Sequence, residues 1–143
     1  MISPIFPCLW FDGNAKQAAE FYTQIFPNSR ITAENPFVVS FELNGRNFIG
    51  LNGGPQHPHS EAISLCINCE TQEEIDYYWE NLLKNGGKEK ACGWLSDQFG
   101  VCWQIVPDIL GKLMSDPEKA HKTMQAFMKM VKFDIAELLK AAE

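Results

Sequence analysis

At 143 residues with 45% hydrophobic content, the chain is the size of one domain and can bury one core without disulfide or metal staples. Its apolar runs, such as 5–11 and 99–106, fall well short of the ~20 residues of a membrane-spanning helix. The formal charge of −6 comes without a basic stripe, which excludes nucleic acid and anionic membranes as expected partners. The N-terminus lacks a basic region followed by an apolar one, and the five cysteines, at 8, 66, 69, 92 and 102, show no framework spacing. Both point to free thiols in a cytoplasmic protein.

Residues 5–11 form a short apolar run ending in Asp12-Gly13, which reads as a strand. Asn14 then caps a predicted amphipathic helix with apolar positions at Ala15, Ala18, Ala19, Tyr22, Ile25 and Phe26. Pro27-Asn28-Ser29 stops it, residues 30–34 suit an edge strand, and Asn35-Pro36 turns the chain. Val39, Phe41 and Leu43 alternate with Ser40 and Glu42, and Asn44-Gly45 is a hairpin signal leading into a strand over 46–52.

The same order recurs. Residues 62–69 read as a strand, and Thr71-Gln72-Glu73-Glu74 is a capping box opening a helix through Ile75, Tyr78, Trp79, Leu82 and Leu83. Asn85-Gly86-Gly87 closes it; strands are predicted over 88–92, 94–97 and 101–106, with a turn at 98–100. A shift of 57 residues lays Asn14 on Thr71, Ala18 on Ile75, Tyr22 on Trp79 and Ile25 on Leu82, which marks an internal duplication. Beyond Pro107 the spacing predicts a short turn over 108–114 and a helix capped by Ser115 or Asp116. That helix carries the stripe Ala120, Met124, Phe127, Met128 and Val131, expected as core or dimer contact, and a last helix follows over 134–142.

Several stretches together resemble one family: Leu9-Trp10-Phe11-Asp12-Gly13-Asn14-Ala15, Leu51-Asn52-Gly53-Gly54-Pro55, Thr71 to Asp76 with Trp79, Cys92-Gly93-Trp94-Leu95-Ser96-Asp97, and Phe99 to Pro107. Met128-Lys129-Met130 and Phe133-Asp134-Ile135-Ala136 extend the match to the end of the chain. The chain is similar to the PhnB-like branch of the vicinal-oxygen-chelate (glyoxalase and bleomycin-resistance) superfamily, often labelled a demethylubiquinone methyltransferase-type domain. The resemblance implies an α+β fold of two tandem βαβββ modules, whose curled mixed sheets face each other over a pocket, plus C-terminal helices. The modules would span 1–54 and 61–107, with a linker at 55–60 and a helical extension at 108–143. Homodimers are usual in that superfamily.

Its metal-dependent members place His or Glu side chains from the first and fourth strands of each module. Carried over one at a time, those positions fall near Phe6 and at Ser64, and near Gly50 and at Gln104. None is a strong ligand, so no metal and no cofactor is expected. The methyltransferase label lacks a Gly-rich turn after a parallel strand: Gly53-Gly54 precedes a Pro-rich linker and Gly86-Gly87 a lysine-bearing strand.

Other candidates carry structural readings. His57-Pro58-His59-Ser60-Glu61 lies in a Pro-interrupted loop expected to be solvated; Cys66 and Cys69, three apart on a strand, should face opposite ways; His121 is read as a surface residue. Asp97, the best-placed carboxylate, suits a turn. Strand alternation is more informative. Leu65, Ile67 and Cys69 should sit under the second helix and Leu9 and Phe11 under the first. That leaves Trp10, Ser64, Cys66, Asn68, Trp94 and Gln104, with Asn52 and Gly50 from the fourth strand and Cys102 from the last, as lining of an apolar and aromatic cavity carrying amides and hydroxyls. The expected function is binding of a small organic molecule in that cavity without the metal triad. The alternative is an enzyme of the vicinal-oxygen-chelate type (a lyase, isomerase, dioxygenase or transferase) with a divergent site.

Overall fold

The hairpin signal at Asn44-Gly45 organises the first half. In the computed structural model, which describes residues 1–143 as two units, Met1–His59 and Ser60–Glu143, both hairpin residues take positive φ, 49° and 82°. The two-residue loop pairs Leu43 with Arg46, and every later pair of the ladder follows from it. The unit contains β1 (Cys8–Phe11), α1 (Ala15–Ile25), β2 (Arg30–Glu34), β3 (Val38–Leu43) and β4 (Arg46–Asn52). The sheet order is β1-β4-β3-β2, with β1 parallel to β4 and the other pairs antiparallel. Val39, Phe41 and Leu43 are buried on one side, as are Leu9 and Phe11. That side meets α1, whose Ala15, Ala18, Ala19, Tyr22 and Ile25 are buried; the Tyr22 and Phe41 rings lie 6.3 Å apart.

The second unit opens with β5 (Leu65–Cys69) and α2 (Gln72–Leu82), followed by β6 (Lys88–Glu89), β7 (Trp94–Ser96) and β8 (Cys102–Pro107). Its sheet repeats the first, in order β5-β8-β7-β6 with β5 parallel to β8. The capping box forms as predicted: Thr71 Oγ1 accepts the Glu74 N–H at 3.2 Å, and the Glu74 carboxylate accepts the Thr71 N–H at 3.1 Å. The shift of 57 holds from helix to helix, but Phe11 corresponds to Cys69, a shift of 58. The turn before α1 is one residue longer, and Gly13, at φ 80°, lets it close.

Three expectations for this unit change. The strand expected over 88–92 ends at Glu89, because Cys92 and Gly93 take φ of 60° and 81°; their N–H groups donate to Met130 O at 2.8 Å and Val131 O at 2.7 Å. Residues expected as a turn form α3 (Ile109–Ser115), ahead of α4 (Pro117–Phe127), capped by Asp116, and α5 (Ile135–Ala141), capped by Asp134. The methionine stripe of α4 is not core: Met124 and Met128 are 41% and 62% exposed, while the buried position is Thr123. The extension is held instead by Gln72, whose Nε2 donates to Phe133 O at 2.9 Å and whose Oε1 accepts the Ile135 N–H at 2.8 Å. A Lys132–Asp76 ion pair at 2.7 Å lies beside it. The architecture is thus α+β, two βαβββ modules followed by C-terminal helices, as expected, and no helix is long and apolar enough to cross a membrane.

Candidate functional site

Residues paired in register across a sheet share a side, so the ladders sort the second unit's side chains. Leu65, Ile67 and Cys69 pair with Trp103, Ile105 and Pro107, and Leu95 pairs with Trp103. This is the side covered by α2. The opposite, helix-free side carries Cys66, Gln104 and Trp94 as one cross-strand row, with Ser96 and Cys102 in the row on one side of it and Asn68 and Val106 in the row on the other. Ser64, just before β5, joins them: Gln104 Nε2 donates to Ser64 Oγ at 2.9 Å and fixes the plane of the amide. Cys66 and Asn68 are exposed; Ser64, Trp94 and Gln104 are half-buried. The structure therefore brings six of the nine expected lining residues, Ser64, Cys66, Asn68, Trp94, Cys102 and Gln104, onto one face.

The helix side is satisfied and closed. Trp79 and Trp103 donate their indole N–H to Glu89 Oε2 at 2.7 Å and Asp97 Oδ2 at 2.9 Å. Asp97 Oδ1 accepts the Phe99 and Val101 N–H groups at 2.9 and 3.1 Å, so this buried carboxylate is engaged in holding the turn before β8. Cys66 and Cys69 point to opposite faces, Cys66 exposed and Cys69 1% exposed. Burial, reinforced by the Glu74 and Asp108 carboxylates, pushes the Cys69 thiol up to about 11, which leaves it inert near neutrality. Burial also raises the Cys102 thiol, with Lys90 opposing the shift.

Trp10, in the first unit, pairs with Leu51 on the side of its sheet away from α1. The segment expected as a solvated loop is tied to it. The indole N–H donates to Gly54 O at 2.8 Å, the His57 ring packs edge-on at 4.7 Å, and His59 Nε2 lies 2.6 Å from Trp10 O. Gly53 sits so close beneath the indole that a Cβ there would overlap the ring.

Two positions in this unit lie on the other face from the one expected. Gly50 pairs with Val39, and a Cβ on it would stand 3.1 Å from Ala15 Cβ, so it marks where α1 presses on β4. Asn52 shares that side: its Oδ1 accepts the Ala15 N–H at 2.9 Å and its Nδ2 donates to Pro36 O at 3.2 Å. Asn14, expected to cap α1 with its side chain, makes no such bond, and Asn52 does so from 37 residues away. Asn52 is thus a helix cap rather than lining of the helix-free face. The signal was present in the hairpin: once Leu43 pairs with Arg46, Val39 must pair with Gly50.

Lys88 and Lys90 were missed. Lys88 pairs with Ser96 and Glu89 with Leu95, and the Lys90 N–H donates to Trp94 O at 2.9 Å. Alternation puts both lysines on the helix-free side, consistent with Glu89 reaching Trp79 on the other. Lys90 binds Glu61, whose carboxyl this hydrogen bond and charge hold below its ordinary value.

The helix-free positions of the first and fourth strands are Cys8, Trp10, Ile49 and Leu51 in one unit and Ser64, Cys66, Asn68, Gln104 and Val106 in the other. They supply amides, hydroxyls, thiols and apolar groups, two of which bond to each other, and no group of three His, Cys, Asp or Glu side chains is positioned to hold an ion. These residues do not fit a divalent metal of the first transition row.

Two βαβββ modules, each with parallel first and last strands, define a glyoxalase-like α+β protein. The family model described as 3-demethylubiquinone-9 3-methyltransferase matches residues 3–106, and the chain belongs to that PhnB-type family. It is similar to a solved structure described as a putative 3-demethylubiquinone-9 3-methyltransferase, PhnB protein, from Bacillus cereus: 30% identity over 73% of this chain and 99% of that one, TM-score 0.66. The fold is also that of a genomically encoded fosfomycin resistance protein from Listeria monocytogenes, 17% identical over 80% of this chain and 98% of that one, TM-score 0.60, whose structure contains Mn(II) and sulfate. A glyoxalase-related enzyme from Fulvimarina pelagi, 19% identical over 77% of this chain and 91% of that one, gives a TM-score of 0.56. A comparison with curated proteins finds no match. The family match ends before α3, so the helical extension falls outside it.

Proposed function

We propose that the chain binds a small organic molecule on the helix-free face of its second sheet, and that it does so without a metal triad. The observation that carries this reading is the clustering of Ser64, Cys66, Asn68, Trp94 and Gln104 on that one face, with the Gln104 amide held by Ser64 beside the Trp94 indole. An aromatic surface with a few oriented amides and hydroxyls is how organic ligands are gripped. At each of the helix N-termini that follow β1 and β5 one backbone N–H is already bonded by a side chain, that of Ala15 by Asn52 and that of Glu74 by Thr71. The same reading takes the protein as a cytoplasmic homodimer in which exposed Met124, Met128, Val131 and Leu139 are covered, an expectation that light scattering at micromolar concentration checks.

The test is saturation-transfer NMR of an aromatic and amphiphilic fragment set against wild-type protein and Gln104→Leu, with elemental analysis of the same wild-type sample. Fragments that bind wild type and lose signal with Gln104→Leu support the reading. No binder, or binding indifferent to Gln104, overturns it; about one manganese, iron, nickel or zinc per chain surviving dialysis overturns its metal-free part.

A further inference from the structure

The helix-free face has a charge at its border that the reading above leaves unused. β6 is one edge of the second sheet and β5 the other. Lys90, at the end of β6, continues the row Trp94, Gln104, Cys66 across the whole sheet. Its ammonium pairs with Glu61, which lies only four residues before β5 on the opposite edge. Three interstrand spacings separate those edges, about 14 Å at roughly 4.8 Å each. The ion pair joins the β6 edge to the segment that leads into β5, and both of its charges act on the Cys102 thiol of this face. Lys88, also on this side, is exposed and enters no ion pair.

We propose that the ligand of this face is an anion, an aromatic or apolar body bearing a carboxylate or a similar oxygen anion, and that Lys90 takes that group in exchange for the carboxylate of Glu61. This rests on the face being a small-molecule site. The Glu61 and Lys90 side chains are 60% and 31% exposed, so their pair is of the surface kind that contributes little and exchanges readily. A ligand carboxylate replaces like with like: Lys90 keeps a charge-assisted bond, Glu61 returns to water, and the ring lies along Trp94 toward the Gln104 amide. In the free protein Glu61 acts as a tethered competitor, which favours anions over neutral molecules of the same shape only when they bind Lys90 better than Glu61 does.

Calorimetric titration with 1-naphthoate and its neutral counterpart 1-naphthamide separates the claims, using wild type, Lys90→Met and Glu61→Gln, each checked for native circular dichroism. Wild type is expected to prefer naphthoate by roughly fivefold or more, as a charge-assisted contact allows. Lys90→Met should abolish the preference, and Glu61→Gln should tighten naphthoate about two- to fivefold while leaving naphthamide unchanged. Equal binding of the two probes by wild type, or a preference that survives Lys90→Met, overturns the anion inference alone. Binding of neither probe removes the small-molecule reading of the face and this inference with it.

Discussion

Replacing Asn52 by alanine separates a helix cap from a ligand contact. Ala15 is fully buried and its N–H meets only Asn52 Oδ1, at 2.9 Å, so truncation leaves this donor without its partner. An orphaned buried donor costs ~1–3 kcal/mol, and loss of a side-chain cap typically ~1 kcal/mol. The two describe one bond and do not add; the Nδ2 bond to Pro36 O is exposed and contributes little. Asn52→Ala should therefore lose about 2 kcal/mol in equilibrium urea unfolding. Asn52→Asp keeps the acceptor and places a negative charge at a helix N-terminus, so it should recover most of that loss. Asn14→Ala, which removes no capping bond, should stay within about 0.5 kcal/mol of wild type. The reasoning is refuted if Asn52→Ala is as stable as wild type while Asn14→Ala is the destabilised variant.

Trp79→Ala should cost ~3–5 kcal/mol, the range of large-to-small core changes, because the indole is 4% exposed and tied to Glu89; a loss below ~1 kcal/mol in urea unfolding contradicts this. Iodoacetamide at pH 8, read by peptide mass spectrometry, should modify exposed Cys66 and Cys8 in the folded protein, Cys8 the slower for its raised pKa, and Cys69 and Cys102 only on unfolding. Cys69 reacting as fast as Cys66 would contradict the assigned faces. Acid should loosen the C-terminal extension late. The Lys132 ammonium, then the Gln72 amide, hold the Asp76 carboxyl below its ordinary 3.8, so the pair's stabilisation is intact above that value and is lost as pH falls through the lowered one. Hydrogen exchange in α5 should stay constant from pH 7 to about 4 once corrected for intrinsic rates, and protection lost between pH 7 and 5 would contradict the assignment.

What the sequence discloses divides by the range of the interaction. The capping box Thr71–Glu74, the Asn44-Gly45 turn and the alternation of Val39, Phe41 and Leu43 are local, and each element formed where the residues put it. The second unit's faces also followed, since Leu65, Ile67 and Cys69 leave Ser64, Cys66 and Asn68 only one direction. The register assigned to the fourth strand was wrong at Asn52 and Gly50. The equivalent of Asn52 is Pro107, which needs no capping role because α2 carries its own box, whereas α1 borrows its cap from β4. The turn at Cys92-Gly93 takes its hydrogen-bond acceptors from Met130 and Val131, and Lys90 finds Glu61 across a sheet. No local pattern announces partners that far apart in sequence.

The central claim, that the helix-free face of the second sheet is a small-molecule site, is tested most directly by the four indole N–H resonances of uniformly 15N-labelled protein, assigned by single Trp→Phe variants. Trp94 lies on that face, Trp79 and Trp103 are buried on the helix side, and Trp10 belongs to the first unit. On titration with 1-naphthoate and 1-naphthamide, Trp94 and the Gln104 side-chain amide should shift together with a single saturation curve while Trp79 and Trp103 stay fixed. Binding that moves Trp79 or Trp103 and leaves Trp94 and Gln104 unmoved would contradict the account.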